Sequence, residues 1–230
     1  MPAAFALQAL LLGLLAGLPA PAQAARPMVT DDARVVDPQS CQMESWVRRE
    51  HGRTELWALP GCNATGNLEL TVGGALRNEG STHLSARVLQ GKTLLRPLQT
   101  NDWGWGLVVG TVQELHAGNG REWYAYAPIS HSLADDRLVL HLNLGWAREQ
   151  GSRAGRASWG LGSETQLGTR SWLVAEAFGR GSETPQLQLG VRYWLVPERV
   201  QIDTTYGNRA DGGQRWLSIG LRLLSPAWLR

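Results

Sequence analysis

Arg137-Leu138-Val139-Leu140-His141-Leu142-Asn143-Leu144-Gly145-Trp146-Ala147 decides how the rest of the chain is read. Leu138, Leu140, Leu142, Leu144 and Trp146 fall on one side of an extended backbone. Val139, His141, Asn143, Gly145 and Ala147 fall on the other, because successive side chains of a strand point to opposite faces. A helix would scatter both sets around its circumference. The period of two therefore predicts a strand with one oily face and one small or polar face.

The same alternation recurs on both sides of this stretch. Leu68, Leu70, Val72, Gly74 and Leu76 oppose Glu69, Thr71, Gly73, Ala75 and Arg77. Leu187, Leu189, Val191, Tyr193 and Leu195 oppose Gln188, Gly190, Arg192 and Trp194. Leu217, Ile219, Leu221 and Leu223 oppose Trp216, Ser218, Gly220 and Arg222. Turn chemistry separates the runs, as in Asn78-Glu79-Gly80-Ser81, Ala117-Gly118-Asn119-Gly120, Ala134-Asp135-Asp136 and Asp211-Gly212-Gly213. The pattern predicts twelve strands near 42–50, 54–61, 67–77, 82–95, 102–113, 121–131, 137–147, 156–166, 171–179, 186–196, 198–207 and 214–224. Most have the length a tilted strand needs to cross a bilayer. Within 82–101, His83 to Pro97 reads either as one long strand or as two short ones.

Composition narrows the class. Among 230 residues there are 27 Gly, and 11 Trp against 2 Phe and 4 Tyr. Hydrophobic residues make up 43% and the net charge is only +2, which excludes a disordered chain. Gly inside nearly every apolar run excludes a coiled coil or helical repeat. The 22 basic residues are scattered among 20 acidic ones and form no stripe, which argues against nucleic acid as a partner.

A soluble sandwich also alternates, so the faces must discriminate. A face meeting water should be dense in Lys, Glu and Thr. Here the less apolar face is sparse: Gly, some Ser and Thr, and one or two charges per strand. That suits the interior of a barrel, where side chains share limited volume. The oily face carries Trp near strand ends (Trp103, Trp123, Trp146, Trp159, and Trp228 by the C-terminus), where indoles meet the lipid–water boundary. Only a closed sheet satisfies its backbone in hydrocarbon. The expected fold is an all-β antiparallel transmembrane barrel of about twelve strands at 42–230, with outer-membrane lipid as its partner.

Residues 1–24 read as a cleaved signal peptide: an apolar run from Phe5 to Leu18, Pro19 and Pro21, then Ala22-Gln23-Ala24 as a small-x-small cleavage site. Residues 25–41 are expected to form an N-terminal periplasmic segment. An even strand count puts both ends of the barrel domain on one side. Connections near 62–66, 133–136 and 196–198 are then periplasmic, and those near 51–53, 114–120, 148–155, 180–185 and 208–213 external. None of the external loops is long, which argues against a large folded plug.

A turn centred on His51-Gly52 sets Trp46 opposite Trp57, Arg48 opposite Glu55, and Cys41 opposite Cys62. That pair is close enough for a disulfide, which an exported chain is free to form.

Catalytic signals are missing from the sequence. The five His show no HExxH spacing, two Cys cannot build a zinc knuckle, and neither GxSxG nor GxxxxGK[ST] occurs. Ser130 and His131 are adjacent on a strand and face opposite ways. No enzyme activity, metal or other cofactor is expected. What remains is the inward polar set given by parity: Arg48, Glu55, Glu69, Arg77, Arg87, His141, Asn143, Glu164, Glu176, Arg192, Gln201, Asp203 and Arg222. These residues read either as ion pairs that brace a narrow lumen or as a polar path for a small solute.

Three segments carry a resemblance. Trp172-Leu173-Val174-Ala175-Glu176-Ala177-Phe178-Gly179, Leu189-Gly190-Val191-Arg192-Tyr193-Trp194-Leu195-Val196-Pro197 and Val200-Gln201-Ile202-Asp203-Thr204-Thr205-Tyr206-Gly207 resemble the bacterial outer-membrane family named for the meta-pathway of phenol degradation. The likeness covers about 67–224. It implies an outer-membrane barrel that acts as a transporter, and passage of hydrophobic or aromatic compounds. The expected function is thus a passive channel for a small, unidentified solute. The alternatives are a non-conducting structural or adhesive surface barrel and, third, an outer-membrane enzyme.

Overall fold

A computed structural model describes residues 28–115, 120–150 and 154–227. The expected signal peptide and Trp228 lie outside the described residues. Twelve strands follow one another: β1 Ser40–Glu50, β2 Arg53–Asn63, β3 Leu68–Asn78, β4 Thr82–Arg96, β5 Trp103–Glu114, β6 Arg121–Leu133, β7 Leu138–Glu149, β8 Arg156–Gln166, β9 Ser171–Arg180, β10 Gln186–Val196, β11 Val200–Arg209 and β12 Arg215–Leu224. Each pairs antiparallel with its neighbours in sequence, and β1 pairs with β12 from Gln42↔Leu224 to Glu50↔Trp216, which closes the barrel. Closure leaves no sheet edge to satisfy. The rim at which β1 begins and β12 ends is called the near rim below, and the opposite one the far rim.

The tight β1–β2 turn places His51 at φ 38° and Gly52 at φ 80°, the left-handed pair that a two-residue hairpin needs. The register that follows is the expected one: Trp46↔Trp57, Arg48↔Glu55 and Cys41↔Cys62. The two cysteines form a disulfide across the near end of this hairpin, with Cα atoms 4.1 Å apart.

Outside and inside are inverted relative to a soluble protein. Ile219 is 62% exposed, Val72 59% and Val109 58%, and they belong to a continuous outer belt of Leu, Val and Ile. Trp103, Trp123 and Trp146 stand exposed toward its edges. The interior holds Arg192, Gln201, Glu164, Lys92 and His141, all buried. Among the described residues no second sheet covers the belt, and a contiguous apolar surface of this extent marks an interaction face rather than one that meets water.

Two expectations need correction. The first concerns the inward face of β4: of the two readings left open the single strand holds, but it carries a bulge. Ala75 pairs with Ala86 while Leu76 pairs with Leu84, so Ser85 has no opposite residue. Its hydroxyl donates to Ala75 O at 3.2 Å. A bulge reverses the alternation beyond it. Ala86, Val88, Lys92 and Leu94 therefore point inward, and Arg87, expected in the lumen, is exposed on the outer face.

The second concerns the N-terminal segment, expected as a separate periplasmic stretch. From Met28 onward it runs inside the barrel. Met28, Thr30, Asp32, Ala33 and Val36 are buried, Ala33 completely.

Candidate functional site

The lumen is organised around residues 28–39. A segment without regular hydrogen bonding must find partners for its backbone when buried, and here the barrel wall supplies them. Glu176 accepts from Val29 N and from Thr30 N at 3.0 and 2.8 Å. The Asn143 amide faces the Asp31 backbone, donating to Asp31 O at 2.9 Å and accepting from Asp31 N at 2.7 Å. Ser130 Oγ accepts from Ala33 N at 2.8 Å. Glu69 accepts from Val36 N at 2.8 Å, and Asn63 Nδ2 donates to Val36 O at 2.7 Å. Side chains add a charged latch: Lys92 Nζ meets Asp31 Oδ1 at 2.7 Å and Asp32 Oδ1 at 2.9 Å, and Tyr126 donates to Asp31 Oδ2 at 2.9 Å. Gly160 and Gly162 make room. A Cβ at Gly162 would overlap Met28 Cε, and one at Gly160 would stand 2.7 Å from Thr30 Oγ1.

Beside the segment, a chain of polar groups crosses the wall. Ser130 Oγ lies 2.8 Å from His141 Nδ1, His141 Nε2 lies 3.4 Å from Glu164 Oε1, and Arg192 donates to Glu164 Oε2 at 2.6 Å. The order serine, histidine, carboxylate brings acyl transfer to mind. The geometry is that of a brace. Ser130 Oγ is already occupied by the Ala33 N–H, Glu164 is engaged by Arg192, and all four side chains are buried. Among the described residues, no group of His, Cys, Asp and Glu gathers that could hold a metal ion.

All of the polar residues expected in the lumen, except Arg87, face inward. Toward the far rim, Glu55 accepts from Arg77 Nε at 3.0 Å and from Trp57 Nε1 at 3.2 Å. Arg48 bonds Glu50 at 3.1 Å and lies over the Trp216 ring at 4.4 Å. Arg222 Nε donates to Gln42 at 2.7 Å, and Gln42 in turn donates to Glu69 at 2.8 Å. Gln201 and Asp203 are buried on the β11 wall.

Sequence parity misses Lys92, because the Ser85 bulge moves it; it puts Ser130 on the inward face of β6 but gives no sign of its partner, His141 on the next strand. The aromatic pairs Trp46–Trp57 and Tyr124–Tyr126 also face inward, with ring centroids 5.4 and 6.1 Å apart. They were recoverable from parity within β1, β2 and β6.

A cavity of about 670 Å³ runs along the segment, from Val36 and Glu69 up to Glu122, Arg180 and Glu183. Ion pairs ring its far mouth: Arg180 with Glu122, and Arg156 with Glu183. Its wall includes Arg34, Arg48 and Arg222, each with one buried guanidinium nitrogen that makes no hydrogen bond to the described residues. Trp57, Tyr124 and Phe178 add apolar surface.

A closed twelve-stranded barrel with an oily exterior and a charged, solvent-reaching interior is an outer-membrane β-barrel. The chain belongs to the family described as Uncharacterised conserved protein UCP029691, matched over residues 10–224. In fold it is similar to the KdgM porin in complex with disordered oligogalacturonate (TM-score 0.62, 8% identity, covering 79% of this chain and 98% of that one). It is also similar to the NanC porin (TM-score 0.60, 9% identity, covering 80% and 98%). No curated protein matches the chain. These findings carry the outer-membrane barrel that the sequence resemblance implied, and nothing of the phenol meta-pathway name.

Proposed function

We propose that this protein is a channel for small polar solutes across the outer membrane, narrowed at rest by its own N-terminal segment. One observation carries the reading. The cavity follows the segment through the lumen, and the guanidinium groups of Arg34, Arg48 and Arg222 are among the hydrogen-bond donors that line it. Such donors suit a solute rich in acceptor oxygens, carboxylate or hydroxyl, since charge-assisted hydrogen bonds to Arg are strong and directional. The similar porin that is complexed with oligogalacturonate handles a solute of that chemistry. A planar or apolar solute, as the resemblance implied, finds support in Trp57, Tyr124 and Phe178 on the same wall.

The segment narrows the path in its near half. Its latch is made of many separate bonds to β2, β3, β4, β6, β7 and β9. The decisive experiment is single-channel recording in planar bilayers with the mature chain and with a chain lacking residues 28–38. Small conductance in the former and a large, stable step in the latter are expected. If the shortened chain folds, as shown by heat-modifiable mobility, and passes no current, the barrel is a non-conducting surface protein. Liposome swelling with sugar acids and with phenols then ranks the solutes.

A further inference from the structure

The contacts that hold residues 28–39 are of two kinds. Glu176, Ser130 and Glu69 accept backbone N–H groups, and Asn63 and Asn143 bond backbone amides or carbonyls. Such contacts hold any extended peptide. Lys92 and Tyr126 instead read side chains, and what they read is carboxylate. Lys92 Nζ meets Asp31 Oδ1 at 2.7 Å and Asp32 Oδ1 at 2.9 Å, while Tyr126 donates to Asp31 Oδ2 at 2.9 Å. Two acid groups thus share one ammonium. Glu69, the register partner of Lys92 on β3, is already engaged by Val36 N and Gln42 Nε2.

A buried ion pair stabilises a fold little more than well-packed apolar side chains of the same volume would. The position of this one gives it another use. Lys92, Tyr126, Asp31 and Asp32 all line the cavity of about 670 Å³ that reaches the far mouth. The Asp31 side chain is 25% exposed, against 5% for Asp32, so a solute arriving along the cavity meets Asp31 first. The Asn143 amide lies against the Asp31 backbone on the same wall, and a departing segment frees it.

We propose that Lys92, Tyr126 and Asn143 form a subsite for a short dicarboxylate, which Asp31 and Asp32 occupy at rest and for which the solute competes with them. The inference rests on the reading of the lumen as a solute path and narrows its solute class. The chain's own two carboxylates stand in for those of the ligand. A four-carbon diacid such as succinate brings two acid groups to one ammonium, as the segment does. The Tyr126 hydroxyl and the freed Asn143 amide donate to its remaining oxygens. A monoacid supplies only one of the two oxygens that Lys92 now contacts. A neutral solute leaves the ammonium without compensation in a place where charge is poorly screened.

The test is equilibrium dialysis of labelled succinate, butyrate and sulfate against the full-length mature protein refolded in detergent. Asp31→Asn/Asp32→Asn removes the resident carboxylates. It is expected to bind succinate at least about tenfold more tightly than wild type, because an occupied subsite lowers apparent affinity. Should that variant fail to fold, Asp31→Asn alone reads the same gain in part. In the same background Lys92→Gln should abolish binding. Tyr126→Phe should weaken it about tenfold, the lower end of what a hydrogen bond to a charged group contributes. Should the Lys92 variant fail to fold, Tyr126→Phe, which removes one hydroxyl, reads the subsite by itself. Butyrate is expected to bind at least about tenfold more weakly than succinate. Equal succinate affinity of wild type and Asp31→Asn/Asp32→Asn would overturn the proposal, as would binding indifferent to Lys92→Gln and Tyr126→Phe. Sulfate or butyrate bound as tightly as succinate would overturn it too, the first marking a general anion site. Dialysis needs no current. A barrel that binds succinate and conducts nothing therefore loses the channel and keeps the subsite, and a conducting barrel indifferent to succinate does the reverse.

Discussion

Lys92 is the residue on which the lumen turns. Its ammonium meets Asp31 and Asp32 of the segment, and the Lys92 and Asp32 side chains are only 6% and 5% exposed. Removing one partner of a buried pair leaves the other charge without compensation, at about 3–5 kcal/mol. Lys92→Ala is therefore expected to loosen the segment by that order while the sheet, whose ladders it does not touch, still forms. Limited proteolysis near residues 28–39 and the open fraction in bilayer recordings both read the change. A variant as protected and as quiet as wild type would show that the backbone bonds from Glu176, Ser130 and Glu69 suffice by themselves.

At the scale of elements, the segment and β8 fit each other through absence of side chains. Gly160 and Gly162 lie on the inward face of β8, and a Cβ on either would run into Thr30 or Met28. Val at Gly162 is readily accepted by a strand, so Gly162→Val should leave the barrel folded and displace Met28 to Thr30 from the wall. The expected result is a conductance nearer to that of the chain lacking 28–38, with unchanged heat-modifiable mobility. Unchanged conductance in a folded Gly162→Val protein would show that residues 28–30 do not narrow the path. β4 teaches a related lesson: one unpaired residue, Ser85, exchanges Lys92 for Arg87 in the lumen and turns that arginine to the outer face.

For the whole molecule the governing fact is the inverted distribution of polarity. Ile219 sits at the centre of the oily belt, 62% exposed and between the β11 and β1 partners Thr204 and Val47. An arginine there costs about 2–4 kcal/mol at the bilayer midplane. Ile219→Arg is expected to slow or abolish insertion into liposomes while still allowing folding in short-chain detergent. Equal insertion of wild type and Ile219→Arg would mean that this face does not contact acyl chains.

The twelve strands, their two faces and the Cys41–Cys62 pairing were legible in the sequence because each depends on local periodicity and one tight turn. Strand alternation repeats every two residues, so a short window reveals it, and the His51-Gly52 turn then sets the hairpin register without reference to distant strands. Most inward charges, Glu69, Glu164, Glu176, Arg192 and Arg222 among them, follow from the same parity. Lys92 and Arg87 do not, since a bulge depends on how β3 and β4 meet and leaves no mark in either strand alone. The path of residues 28–39 was decided by tertiary structure alone. That stretch has no alternation, and the carboxylates, hydroxyls, amides and ammonium that hold it come from six strands (β2, β3, β4, β6, β7 and β9), which become neighbours around one lumen only when β1 closes on β12.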